Sequence, residues 1–170
     1  MNRSLFAVVA LASLVSSGCG GPASADLAMT ALGEDVDRLA SEAEQHATEI
    51  AGATDVATIL QMEKDHQPRV ESMMDSMMQV MNGLSSCTHE SGQSLDTMGM
   101  HGSTQKMLDE CELHQQAMGK AADMAGARME EDRHQKAMSS AIAAMRENYG
   151  MMQGHAGMVE CSHCAMCGGM

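Results

Sequence analysis

The chain has 170 residues and a formal charge of −13, an acidic surplus that excludes nucleic acid and anionic lipid headgroups as expected partners and favours cations. It contains one Tyr, one Phe and no Trp. The core of a single domain of this size must therefore be built from aliphatic side chains and from an unusual number of methionines, 21 in all.

The first eighteen residues have the pattern of an export signal. Arg3 precedes an uncharged apolar run over residues 5–15. This run is too short to cross a bilayer as a helix, since that needs roughly 20 apolar residues. Removal of residues 1–18 would leave nine basic and 23 acidic residues, a formal charge of −14.

The end of this segment resembles the lipobox of bacterial lipoproteins. Residues 14–20 read Leu-Val-Ser-Ser-Gly-Cys-Gly, with Ser16 where the lipobox usually has Leu. The resemblance implies acylation of Cys19 by palmitate-like chains and, with Gly20 next to it, sorting to the outer membrane, facing the periplasm. Two or more acyl chains anchor a protein stably, and residues 19–26 then form a lipidated tether. The alternative is an ordinary cleaved signal that a cysteine happens to follow.

Residues 27–85 are predicted to form a helical hairpin. Apolar residues recur at steps of three and four over 56–84, which predicts one long helix with an inward stripe. A second stripe covers 32–50, and residues 52–55 provide a turn that ends in an Asp, a capping residue for the helix that follows. Pro68 removes a backbone hydrogen bond in mid-helix and predicts a kink or an interruption there.

The hairpin pattern recurs 68 residues later. Between 36–81 and 104–149, eleven of 46 aligned positions are identical, whereas random pairing gives roughly three or four. An internal duplication explains this best. It predicts a second hairpin over 104–152 and an all-α, antiparallel four-helix bundle over 27–152. The linker, residues 86–103, is long enough to cross the bundle, so the order of the helices around it stays open.

Polar residues occupy positions on the inward stripes where apolar residues are expected. Two imidazoles fall on the first and third helices, and a Glu-x-x-His motif falls on each of the second and fourth. These candidate ligands are His46, Glu63, His66, His114, Glu131 and His134. Burial of unpaired carboxylates and imidazoles is costly, so this layer requires either mutual hydrogen bonds or a bound cation.

The layout resembles that of the ferritin-like di-iron carboxylate bundles, in which two helices each give a Glu and two each give Glu-x-x-His. The resemblance implies that Glu42 and Glu110 are the single carboxylates and that 63–66 and 131–134 are the paired motifs. Glu42 and Glu110 lie beside the stripe, however, and the histidines of the first and third helices are additional. Three interpretations of the layer stay open: a hydrogen-bonded layer that fixes helix register, a copper site and a di-iron site.

Sulfur ligands accompany these histidines. Thioether, imidazole and thiolate are the ligands that select soft metals such as Cu(I). Met73 and Met77 share a helix face with His66, so thioether and imidazole are expected to converge on one ion. Cys111 lies one turn from His114 and is a candidate ligand or a buried thiol. For the methionines as a class, the alternative is packing, because Met fills irregular gaps in cores.

The C-terminal segment, residues 153–170, is predicted to be a soft-metal-binding tail. It carries three cysteines at C-x-x-C-x-x-C spacing with a His and a Met between them, namely Cys161, His163, Cys164, Met166 and Cys167. This spacing lets one ion bind two thiolates in a tight turn. Zinc accepts the set, the surrounding methionines favour Cu(I), and an iron–sulfur cluster needs a fourth cysteine such as Cys87 or Cys111. The alternative is disulfide formation in an oxidising envelope, although five cysteines beside Cys19 leave at least one unpaired.

These patterns together predict an envelope lipoprotein, anchored to the membrane by its lipid, that binds copper as Cu(I) for tolerance, storage or delivery. Zinc and iron are the other metals considered. Copper storage resembles the role of four-helix copper-storage proteins, although those line their bundle with cysteines. The first alternative is a ferritin-like di-metal oxidase. The second is a structural helical lipoprotein that binds no metal.

Overall fold

The computed structural model describes residues 22–85, 88–89, 96–156 and 159–160. These ranges contain the helices α1 (Pro22–Gly52), α2 (Val56–Ser85), α3 (Met98–Met118) and α4 (Met124–Ala156). Two short strands, β1 (Thr88–His89) and β2 (Val159–Glu160), pair in antiparallel orientation. The predicted all-α four-helix bundle is confirmed.

The helices follow one another around the bundle in chain order. Each packs against the next along the chain, and α4 closes the ring against α1. Arg146 contacts Asp37 at 3.0 Å, whereas Arg128 donates a hydrogen bond to the carbonyl oxygen of Ala53 at 2.9 Å, so α1 and α4 run in opposite directions. None of the described helices is both long and apolar enough to cross a membrane.

Three helix boundaries differ from those expected. The α1 helix begins at Pro22, inside the segment predicted as a tether, because proline suits the first helical position, where its missing N–H would have had no partner. The α3 helix begins at Met98, inside the predicted linker, and the Asp96 carboxylate accepts its first N–H at 3.0 Å. The α4 helix continues to Ala156, into the predicted tail. The segments predicted as tether, linker and tail are each correspondingly shorter.

The α2 helix passes through Pro68 without interruption. Proline removes one backbone hydrogen bond at this position. His66 and Val70, on either side of it, are both buried in the bundle and hold the helix against its neighbours. The predicted interruption is therefore wrong, because tertiary packing outweighs the local effect of the proline.

The interior contains two apolar clusters. The smaller lies at the end of the bundle with the α1–α2 and α3–α4 loops, and is formed by Ile50, Ala53, Ile59, Met118 and Ala127. The larger fills the other end and is rich in methionine, with Met29, Met74, Met77, Met81, Met100, Met107, Met138, Met145 and Met152 all buried in it. Buried polar residues separate the two clusters along the helices.

An aspartate caps the N-terminus of the second helix of each hairpin, α2 and α4. Asp55 accepts the N–H of Thr58 at 2.8 Å, and Asp123 accepts the N–H of Gly126 at the same distance. These contacts satisfy N–H groups that the first turn of a helix leaves without a partner.

Replacement Asp123→Ala is expected to lower the free energy of unfolding by about 1 kcal/mol, since the cap is lost. Urea denaturation followed by circular dichroism measures the change. Asp132→Ala, the same change at an exposed position within α4, is the control and should leave stability unchanged or raise it, because Ala is the better helix former. Equal losses in the two variants would show that the cap is not the cause.

Candidate metal centre

The six polar residues predicted on the inward stripes meet in one layer between the two apolar clusters. They come from all four helices: His46 from α1, Glu63 and His66 from α2, His114 from α3, and Glu131 and His134 from α4. The four imidazoles and Glu131 are each at most 3% exposed, and the side chain of Glu63 is 12% exposed. The layer therefore combines ionisable groups with almost complete exclusion of water.

Two carboxylates and two imidazoles form the centre of the layer. Nε2 of His46 lies 2.8 Å from Oε1 of Glu63 and 3.6 Å from Oε2 of Glu131. Nε2 of His114 lies 3.1 Å from Oε2 of Glu63 and 3.3 Å from Oε1 of Glu131. Each carboxylate thus bridges both imidazoles. One ligand atom from each of His46, Glu63 and Glu131 lies within 4.8 Å of the others, a spacing that suits a single metal ion.

The other two imidazoles stack on this centre. The rings of His46 and His66 are parallel within 8° with centroids 3.8 Å apart, and those of His114 and His134 are parallel within 8° at 3.9 Å. The two stacks occupy equivalent positions of the two hairpins, 68 residues apart. The duplication itself stays a prediction, but the contacts it implies recur in both halves of the layer.

Carboxylates at the edge of the layer hold the outer nitrogens of the stacked rings. Nδ1 of His66 lies 2.8 Å from Glu42, which also accepts a hydrogen bond from Arg69 at 2.8 Å. At the equivalent positions of the second hairpin, Nδ1 of His134 lies 3.4 Å from Glu110, and Arg133, from a different position on its helix, donates a hydrogen bond to Glu110 at 3.0 Å. A carboxylate accepts hydrogen bonds, so Nδ1 of each ring donates and Nε2 keeps its lone pair. Glu42 and Glu110 therefore orient imidazoles and do not lie at the centre of the layer. Their positions beside the inward stripe are consistent with this role.

Glu130 is a member of the layer that sequence reasoning missed. Its carboxylate lies 3.2 Å from Nδ1 of His114 and accepts hydrogen bonds from Arg133. Arg69 and Arg133 were missed as well. The signal for them was weak, because the three residues lie on the exposed flanks of α2 and α4, where charged residues are common.

Several inner atoms of the layer have no hydrogen-bond partner although charged groups lie nearby. These buried atoms are both ring nitrogens of His46, Nε2 of His66 and His114, Oε1 of Glu63 and both carboxylate oxygens of Glu131. The distances between the imidazole nitrogens and the carboxylate oxygens are short, but the angles at these atoms do not suit hydrogen bonds. A buried polar atom without a partner costs about 1–3 kcal/mol, so the layer combines a high energetic cost with donor atoms that face one another.

The layer sets its histidines to different charge states. Burial opposes the charged form of His46 and of His114, but their contacts with Glu131 and Glu63 outweigh it and raise the pKa to about 9 and about 10. Burial and the charge of His46 lower the pKa of His66, and burial and the charge of His114 lower that of His134 to about 4. Each stack therefore pairs a cationic ring with a neutral ring that is free to bind an ion.

Burial raises the pKa of the Glu63 carboxyl, but its contacts with His114 and His46 outweigh burial. The pKa of Glu63 is therefore lowered. The carboxylate therefore stays ionised inside the bundle. This ionised carboxylate and the neutral imidazoles of His66 and His134 together are a donor set for a divalent transition-metal ion.

The predicted sulfur ligands lie in different places. Cys111 is a buried free thiol whose pKa burial raises to about 12, with further contributions from nearby carboxylates. Met77 is fully buried in the larger apolar cluster, and Met73 packs against it from a partly exposed position. Met73 and Met77 are seven and eleven residues of helix from His66, or roughly 10 and 16 Å along the axis. The structure thus places them among apolar side chains away from the layer.

The remaining predicted site residues lie outside the described residues. They are the lipid-attachment residue Cys19 and the tail ligands Cys161, His163, Cys164, Met166 and Cys167. Their roles stay predictions.

Comparison with known proteins gives no family for this chain. No protein-family model matches it, and neither the curated proteins nor the solved structures contain a significant match. A function for the layer must therefore rest on the chemistry of its own residues.

Proposed function

We propose that the mature protein is an envelope lipoprotein that binds transition-metal ions, copper foremost, in the His/Glu layer of its bundle, for tolerance, storage or delivery. One observation carries this proposal. Buried imidazole nitrogens and carboxylate oxygens of His46, His66, His114, Glu63 and Glu131 face one another without hydrogen-bond partners. A bound cation satisfies such atoms together and offsets the cost of their burial.

The orientation of the imidazoles supports metal binding. Metal-binding histidines usually donate their second ring N–H to a carboxylate, which fixes the tautomer and turns the other nitrogen toward the ion. Glu42, Glu110 and Glu130 hold His66, His134 and His114 in this way.

The donor atoms narrow the choice of metal. Imidazole nitrogen and carboxylate oxygen suit copper(II), zinc and iron, and copper(II) binds most tightly among the first-row divalent ions at a given site of this kind. The acidic surplus of the chain attracts cations in general. The tail, with its cysteines, His163 and Met166, adds ligands that suit Cu(I). Zinc also suits both parts of the chain, but copper is favoured because copper(II) binds more tightly at the layer and the methionines around the tail favour Cu(I).

The envelope location rests on the lipobox resemblance around Cys19. An acylated Cys19 would attach the bundle to a membrane, with two residues between Cys19 and the start of α1 at Pro22. The membrane is then a partner through the lipid.

A di-metal carboxylate protein of the ferritin-like kind is the second candidate. The observation in its favour is that Glu63 and Glu131 each contact both His46 and His114, as carboxylates that bridge two ions would. Against it, Glu42 and Glu110 bind arginine and histidine, where the ferritin-like pattern uses them as ligands.

Metal analysis of the purified mature protein tests these functions, with and without residues 157–170, which follow the end of α4. We expect copper in both forms, with less in the truncated one, and nitrogen hyperfine splitting in the electron paramagnetic resonance spectrum of the copper(II) form. Two iron ions that survive truncation and react with oxygen would support the second candidate instead. Protein that takes up no metal would contradict both and leave a structural lipoprotein.

A further inference from the structure

A cavity of about 180 Å³ lies beside the His/Glu layer, between α2, α3 and α4. Its walls combine the polar groups of the layer with sulfur. The residues that matter here are Glu63, His66, Cys111, His114, Met118 and His134. The cavity is large enough for an ion and its ligands, and it offers donors that the carboxylate centre lacks.

The sulfur atoms come from a single face of α3. Cys111, His114 and Met118 are spaced by three and four residues, which places them one above another on the helix. All three are buried. A thiol, an imidazole and a thioether therefore follow one another along one wall of the cavity.

A second observation on the opposite wall indicates a ligand. His66 is 2% exposed, and its Nε2 has no hydrogen-bond partner although it is buried. Its Nδ1 is held by Glu42 at 2.8 Å, so the ring is fixed with the lone pair of Nε2 directed away from that carboxylate. The cavity thus has an unpartnered imidazole nitrogen on α2 and a thiol on α3.

We propose that Cys111 and His66, which line this cavity from α3 and α2, form a binding site for Cu(I), separate from the carboxylate centre of Glu63 and Glu131. Thiolate and imidazole are both ligands that suit Cu(I), and two ligands are enough for this ion. Binding forms a copper–sulfur bond at Cys111 and releases the thiol proton to solvent, with no change in oxidation state. The neutral thiolate–Cu(I) unit fits a largely apolar wall better than a divalent ion does.

This inference rests on the proposed function, since it takes the bundle to be a metal-binding protein. It adds that the two oxidation states of copper have different places in the bundle. Copper(II) is held by the nitrogen and oxygen donors of the layer, and Cu(I) by the sulfur side of the cavity.

The test is an anaerobic Cu(I) titration of the full mature chain against a competing Cu(I) chelator. Cys111→Ser and Cys111→Ala are each expected to lose one equivalent of Cu(I) relative to the unchanged protein. Met129→Leu, at an exposed methionine of α4, is the control and should bind as the unchanged protein does. Circular dichroism of each variant checks that the bundle is folded.

A second titration, with copper(II), separates this inference from the proposed function. Cys111→Ser is expected to keep its copper(II) affinity, whereas the double variant Glu63→Gln/Glu131→Gln should lose it and keep the Cu(I) equivalent. Full Cu(I) stoichiometry in both Cys111 variants would overturn the inference alone. Undiminished copper(II) binding by the double variant would overturn the proposed function.

Discussion

Replacement of Glu63 and Glu131 together by glutamine is expected to weaken binding of divalent metal ions by more than about 100-fold while the bundle stays folded. Loss of a residue that only orients a metal ligand costs 10–100-fold in affinity, and these two carboxylates would touch the ion itself. The amide oxygen of Gln is a poorer ligand, and the double change removes the negative charge that offsets a buried divalent ion. Glutamine keeps the volume of glutamate and can hydrogen-bond to the neighbouring imidazoles.

Titration with copper(II) and zinc against a competing chelator measures this loss. The control is Glu44→Gln/Glu112→Gln, which removes the same two charges from exposed positions of α1 and α3. Both variants keep the tail, so any metal held there contributes equally to the two measurements. If the variants bind equally tightly, the layer does not hold the ion.

The periodicity of the sequence predicted the four helices and the six polar residues of the layer. A helix fixes which residues share a face, so a Glu-x-x-His motif on an apolar stripe must point inward wherever the helix packs. The order of the helices depends on contacts between residues far apart in the chain, such as Arg146 with Asp37, and the pattern of a single helix carries no signal for these.

Residues that share a face of a helix can still lie at different heights along the bundle axis. Met73 and Met77 lie on the side of His66, but the rise of the helix carries them into the larger apolar cluster. Met118, which the sequence did not single out, lies four residues from His114 and reaches the cavity. Which sulfur lies beside the layer is set by how α3 is placed against α2, and that placement depends on tertiary packing.

The free energy of unfolding of the protein without bound metal is expected to be highest near pH 6.5 and to fall in both directions. His46 and His114 have folded-state pKa values of about 9 and about 10, above the ordinary 6.5, so the folded protein binds more protons than the unfolded chain between these values. Their contribution is complete below pH 6.5 and is lost as the pH rises toward 9 and 10. The loss is on the order of a few kcal/mol, because each unit of pKa shift corresponds to about 1.4 kcal/mol before coupling between the groups is considered.

On the acid side the sign is reversed. The pKa of His134 is lowered to about 4, so its neutral form stabilises the fold above pH 6.5, and this contribution is lost as the pH falls toward 4. The lowered pKa of Glu63 adds a further loss below its ordinary value of 4.5. Thermal unfolding from pH 4 to 10 in the presence of a metal chelator measures both limbs. His46→Gln should flatten the alkaline limb, whereas the exposed His155→Gln should leave the profile unchanged.

As the pH rises above 6.5, affinity for metal ions is expected to increase, whereas the free energy of unfolding of the metal-free protein falls. An ion can use Nε2 of His46 and His114 only when these rings are neutral, so binding must release the protons that their raised pKa values retain. Apparent affinity for copper(II) or zinc should therefore rise between pH 6.5 and 9, where the protein without metal loses stability. The stabilisation given by the ion should be largest where the layer alone is weakest. Calorimetric titrations in buffers of different ionisation enthalpy count the released protons, and binding without proton release would show that the ion does not occupy the imidazoles of this layer.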